Sequence, residues 1–168
     1  YRYVLVGTGT DKNSGVKLGG DNTNIHKSLN FLRAFNRGDR LNVGKHVAIV
    51  GAGNTAMDCA RAALHIPGVE KATVIYRRSQ QEMPAWREEY EEALQDGVTF
   101  RFLSNPEHFA ADGTLTVRAM ALGEPDEQGR RRPLPTDETW TLQVDTLITA
   151  IGEQQDGEEI GRASCRER

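Results

Sequence analysis

Cysteine is nearly absent from this 168-residue chain. Only Cys59 and Cys165 occur, which excludes a disulfide scaffold and any cysteine cluster for zinc or iron–sulfur ligation within the sequence. There is no Cys-x-x-Cys pair, so no redox-active dithiol is carried here. No apolar run approaches the roughly 20 residues of a membrane-spanning helix, and no secretory pattern opens the chain, so a cytoplasmic location is expected. The formal charge of -3 supplies no general attraction for nucleic acid or an anionic membrane. Neither partner is expected. Ser28 and Ser104 lack the glycine context of a nucleophile elbow, and no Tyr-x-x-x-Lys pair supports a self-contained short-chain dehydrogenase. His26, His46, His65 and His108 are scattered without a carboxylate at a spacing that suggests a base or a metal site.

With 38% apolar and 27% charged residues, the composition is that of a globular domain. Tyr3–Val6 has strand character, so the chain opens inside an element and reads as a fragment. At the other end Gly161–Arg168 is basic and patternless. Residues 160–168 read as a foreign tail, and without the three Arg and one Glu of the octamer the net charge falls from -3 to -5. Between these ends the periodicity alternates. Ser28–Phe35 has helical spacing, His46–Val50 is an apolar strand, and a helical pattern follows Ala56 until Pro67 and Gly68 stop it. Ala72–Tyr76 is another strand. Pro84–Gln95 reads as a helix with Pro84 at its first position and Glu88, Glu89, Glu91 and Glu92 toward water, and Val98–Leu103 reads as a third strand. Beyond Pro106 the period becomes two, with strands at Leu115–Leu122 and Thr139–Val144 around a charged connection, Glu124–Asp137. Thr146–Gly152 is a buried-type strand ending in glycine.

The informative pattern is Gly51-x-Gly53-x-x-Ala56, placed between a strand and a helix with a further strand beyond it. Gly51 permits the tight turn, Gly53 lets backbone approach a pyrophosphate, and Ala56 keeps the helix close to the strand. Asn54 and Thr55 complete a helix N-terminus whose free N–H groups favour an anion. Which dinucleotide binds is decided at the end of the next strand. Arg77 and Arg78 stand where a site for an unphosphorylated ribose would carry an acidic residue, and paired guanidiniums suit the 2'-phosphate of NADPH. Arg87 is a further candidate for that phosphate, whereas Arg131 and Arg132 read as solvated surface. Cys59 reads as a small core residue.

Three segments carry a family resemblance: Gly51–Ala60, Tyr76–Ser79 and Glu82–Ala85. They resemble the NADPH-binding part of the glutamate synthase small subunit and dihydropyrimidine dehydrogenase family, flavoproteins of the pyridine nucleotide-disulfide oxidoreductase group. From Tyr1 to Glu159 the chain most resembles the bacterial selenate reductase flavin and iron–sulfur subunit. The resemblance implies an α/β fold: a Rossmann-like NADPH domain with a parallel sheet and a β-meander, inserted into an FAD domain. On that basis residues 1–44 are a piece of the FAD domain plus linker, 45–144 the NADPH domain and 145–159 the returning strand. Val6-Gly7-Thr8-Gly9 is similar to the motif leaving the FAD domain, so Thr8 and Gly9 are implied in cofactor binding. Gly152 and Glu153 are implied at the nicotinamide end. Most FAD contacts would come from sequence not present here.

The expected function follows. Hydride passes from NADPH to FAD and electrons continue to iron–sulfur or partner-subunit centres, with no side chain here acting as acid or base. The fragment is not expected to be active alone. The alternatives are a glutamate synthase small subunit and, from another class, an NADPH-binding sensor or assembly module that feeds no flavin.

Overall fold

The computed structural model describes residues 12–13, 18–20, 23–151 and 153–154. In chain order these form β1 (Lys12–Asn13), β2 (Gly19–Gly20), β3 (Ile25–Lys27), α1 (Ser28–Asn36), β4 (His46–Val50), α2 (Asn54–Leu64) and β5 (Lys71–Ile75). A 3-10 turn (Gln80–Glu82), α3 (Arg87–Gln95), β6 (Thr99–Arg101), β7 (Ser104–Phe109), β8 (Thr114–Pro125), β9 (Arg131–Gln143), β10 (Thr146–Thr149) and β11 (Glu153–Gln154) follow. The expected strand Tyr3–Val6 and residues 160–168 lie outside the described residues.

Strands β3-β10-β4-β5-β6 hydrogen-bond in that order, all parallel. Their apolar runs are continuous because both faces of the sheet are covered. Val47 and Ile49 of β4 pack with Met57, Ala60 and Ala63 of α2. The intervening Ala48 and Val50 face Leu115 and Val117 of β8, in the antiparallel sheet β2-β7-β8-β9. The molecule thus has three layers: helices, parallel sheet, antiparallel sheet. Alanines at 56, 60 and 63, all fully buried, let α2 lie close to the strands. Cys59 is buried as expected of a core residue, its thiol 3.9 Å from the Ser28 carbonyl oxygen.

Several elements differ from their sequence signals. Strand β10 lies between β3 and β4, so the expected boundaries at 44/45 and 144/145 run through one hydrogen-bonded sheet. Asp145 ties that junction, its carboxylate accepting the backbone N–H groups of Lys45 and His46 at 2.8 Å each. These bonds hold its pKa below the usual carboxylate value. Helix α3 begins at Arg87 rather than Pro84. Its N-cap is Trp86, extended with φ -64° and ψ 146°.

The acidic face of α3 is more than a solvated surface. Arg61 of α2 reaches Glu92 and Asp96 at 2.6 Å each, with Glu89 at 3.7 Å. Ser104–Phe109 is a strand despite Pro106, because the register shifts between Pro106 and His108 and absorbs the missing donor. The expected connection Glu124–Asp137 is mostly strand: β8 and β9 pair out to Pro125 opposite Arg131. Asp126 closes the hairpin by accepting the N–H groups of Gln128 and Arg130 at 2.9 and 2.8 Å.

Candidate nucleotide-binding site

The site forms where β4, β5 and β10 end together. In parallel sheets the crevice beyond the carboxyl ends of the strands is the ordinary place for a ligand. Here a cleft of about 210 Å³ is lined by Gly51–Gly53 after β4, Tyr76–Arg78 after β5, and Ala150 and Ile151 after β10. Ser104–Pro106 of β7 and Pro84 complete it.

The two glycines of the turn have different physical reasons to be glycine. Gly51 adopts φ +130°, and a Cβ there would lie 2.3 Å from the Ala150 carbonyl oxygen. Its N–H donates to the Ile75 carbonyl at 3.1 Å, locking the turn between two strands. Gly51 is therefore required by the protein's own packing. Gly53 has an ordinary φ of -88°, and a Cβ there would meet no protein atom within 4 Å. The lack of a side chain leaves a backbone surface open to the outside.

Gly53 also caps α2. No side chain caps this helix, and no acidic residue stands in its first turn. Helix N-termini carry unpaired N–H groups and about half a positive charge, a suitable setting for pyrophosphate. Ala56 is fully buried beneath the turn. Its N–H and that of Met57 return to the Gly53 carbonyl at 2.9 and 3.2 Å. Thr55 is half-buried in the first turn.

Asn54 has a second task that the sequence did not reveal. Its side-chain oxygen accepts the Trp86 N–H at 2.9 Å, while the Ala85 N–H donates to the Ala52 carbonyl at 3.1 Å. The Met83–Trp86 segment is thereby strapped across the glycine turn, which explains why α3 starts late. Trp86 itself remains 68% exposed beside it.

Arg77 and Arg78 both line the cleft. Arg77 is exposed and Arg78 half-buried. Among the described residues, Arg78 Nε is shielded from water without a hydrogen-bond acceptor. Such a buried donor ordinarily has a partner, and an anionic ligand group would supply one. The loop that follows is braced: Ser79 and Glu82 form a reciprocal capping box, and the Tyr76 hydroxyl donates to the Glu82 carbonyl at 2.8 Å. The Ser79 hydroxyl holds the Glu82 carboxyl below its usual range. Burial pushes the Tyr76 phenol up, against the opposing influence of Arg78 and Arg77.

Arg87 does not join this group, pairing instead with Glu91 at 2.7 Å on α3. Arg131 and Arg132, read from sequence as solvated surface, come from the β8–β9 hairpin to line a second cleft shared with Arg78. No local signal pointed to that meeting. Thr8, Gly9 and Gly152 lie outside the described residues. The backbone of Glu153 pairs with Asn13 across β11 and β1. No group of three or more His, Cys, Asp or Glu suited to a metal occurs among the described residues. No helix among them is long and apolar enough to cross a membrane.

Comparison with known proteins bears on the whole chain. The sequence is 75% identical over 160 residues to YgfK of Escherichia coli O157:H7, named as an oxidoreductase, covering 95% of this chain and 16% of that protein. It is 41% identical over 167 residues to the NADP(+)-dependent formate dehydrogenase subunit beta of Moorella thermoacetica, covering 93% and 23%. It is 36% identical over 166 residues to the glutamate synthase [NADPH] small chain of Azospirillum brasilense, covering 89% and 34%. The chain thus spans a minor part of each relative. Among solved structures, Mycobacterium tuberculosis FprA in complex with NADPH superposes with a TM-score of 0.76 at 14% identity, covering 88% of this chain and 49% of that one. That likeness shows the α/β fold with its parallel sheet. The family pattern described as pyridine nucleotide-disulphide oxidoreductase matches residues 1–166, and the chain belongs to that family.

Proposed function

We propose that this chain is the NADPH-binding part of an FAD-dependent oxidoreductase. The observation that carries the reading is the open backbone at Gly53, whose glycine no protein contact requires, on the cleft that is also lined by Arg78, a side chain whose buried Nε lacks an acceptor. Gly51 and Ala56 set the shape of the turn, while Gly53, Asn54 and Thr55 present the helix N-terminus to the pyrophosphate. Arg77 and Arg78 hold the 2'-phosphate and confer preference for the phosphorylated nucleotide. Thr8, Gly9, Gly152 and Glu153 border the flavin and nicotinamide end, by family resemblance. When bound, the nicotinamide supplies a hydride and the flavin accepts it. The protein's residues bind and orient, and none of them needs to move a proton.

In the fuller reading, the segments flanking the sheet join it to an FAD domain, and electrons leave for iron–sulfur or partner-subunit centres. Its support is the resemblance to the selenate reductase flavin and iron–sulfur subunit, together with relatives named as beta subunits. Glutamate synthesis is the second reading, favoured by relatives named glutamate synthase small chain. The test is a parallel titration of the chain with NADPH and NADH at fixed low salt, followed by nicotinamide and tryptophan fluorescence. NADPH should bind the tighter. Equal affinities would remove the arginine pair from the 2'-phosphate, and absence of binding by folded chain would remove the site.

A further inference from the structure

The β8–β9 hairpin brings a cluster of cations to the arginine pair. Arg78 lines a second cleft of about 410 Å³ together with Arg130, Arg131 and Arg132. Arg131 is the half-buried member of the three hairpin arginines, the other two being exposed. Its Nε donates to the Gly123 carbonyl across the hairpin at 3.1 Å. That bond ties the base of the guanidinium to the partner strand and restricts the side chain.

The Ser79 hydroxyl chiefly, and the charge of Arg131 in smaller measure, hold the Glu82 carboxyl below its usual range. Glu82 belongs to the turn directly after Arg78 and Ser79, and Arg78 lines one cleft with the hairpin arginines. Among the described residues, neither Arg78 nor any of the three hairpin arginines forms an ion pair.

Two carboxylates share this cleft, Glu124 and Asp126. Asp126 is engaged by the backbone of Gln128 and Arg130, and Glu82 by Ser79. Four guanidiniums therefore face two lining carboxylates, a local excess of positive charge on a chain whose net charge is negative. Gathering like charges is unfavourable unless an anion offsets them.

We propose that Arg131 is a third binding residue for the 2'-phosphate of the nucleotide and that the β8–β9 hairpin contributes to cofactor preference. The inference rests on the reading of Arg77 and Arg78 given above. A phosphate monoester carries up to two charges and three acceptor oxygens, more than one guanidinium satisfies. Arg78 approaches it from the end of β5, where its Nε lacks an acceptor, and Arg131 closes on it from the hairpin. Specificity for the phosphorylated nucleotide then comes from two elements remote in sequence.

The test compares Arg131→Gln, Arg131→Lys and Arg78→Gln with the parent chain, measuring Kd for NADPH and NADH and checking the fold by circular dichroism. Arg131→Gln should weaken NADPH about tenfold, the scale of one charged contact, and leave NADH within about twofold. Arg131→Lys should recover part of the loss. If Arg78→Gln erases the NADPH preference while Arg131→Gln leaves it intact, the hairpin role is overturned and the arginine-pair reading stands. If neither variant alters the preference, both fall. Equal loss of NADPH and NADH in Arg131→Gln would also overturn the proposal, because the effect would not lie at the 2'-phosphate.

Discussion

The central parallel sheet and the far half of the β8–β9 hairpin obey different rules. In β10 all four residues are buried, and Leu147 and Ile148 are fully so, each facing a different layer. In β8 burial alternates only as far as Leu115 and Val117, and from Ala121 to Pro125 the strand projects with its sides half or fully exposed. Its partner β9 carries Leu134 at 46% exposure. Stability resides in the first region, whereas the second is held mainly by its own ladder and can carry charge. The difference explains why three successive arginines, Arg130–Arg132, can sit on the hairpin.

The sharpest test of that contrast pairs one substitution from each region. Ile148→Ala should cost about 2–5 kcal/mol, the range for deleting a buried aliphatic side chain, and Leu134→Ala less than about 0.5 kcal/mol. Thermal and urea denaturation would measure both, and similar losses would abolish the distinction. Gly51→Ala should cost at least about 3 kcal/mol, since an L-residue at φ +130° is strained and its Cβ meets a backbone oxygen. Gly53→Val should lower stability by no more than about 1 kcal/mol, as an altered helix cap would. It should nevertheless abolish binding of NADPH and NADH alike. Retained binding in the folded variant would show that nothing approaches that backbone.

The smallest effect concerns acid. The Asp145 carboxyl is held below its usual pKa by two backbone N–H groups, so its contribution is present above the unfolded value, near 4. That contribution is lost as pH falls through the lower folded value. Asp145→Asn should therefore narrow the gap between melting temperatures measured at neutral pH and near pH 3. An unchanged gap would mean that Asp145 does not tie β10 to the start of β4.

Legibility followed distance along the chain. The turn Gly51–Ala56, its flanking strand and helix, and the arginine pair after β5 were readable because each is a contiguous pattern. The start of α3 was misread because Pro84 also suits the first turn of a helix. Nothing local to Met83–Trp86 says that Ala52 and Asn54 will take its backbone donors. The hairpin was read too short because Pro133 and Pro135 are strand breakers in general. On the edge strand β9 they need not donate.

What the sequence by itself determined was the strand character of β4, β5 and β10, the glycine turn and the charge offered beside it, because these depend on period and residue chemistry over a few positions. Only the tertiary structure decided that β10 would enter between β3 and β4, that Asn54 would hold a strap rather than stand free, and that Arg131 would share a cleft with Arg78. The physical reason is that these contacts join segments far apart in the chain. Their closure entropy is offset collectively, by burial of the whole three-layer core, and no local signal records it.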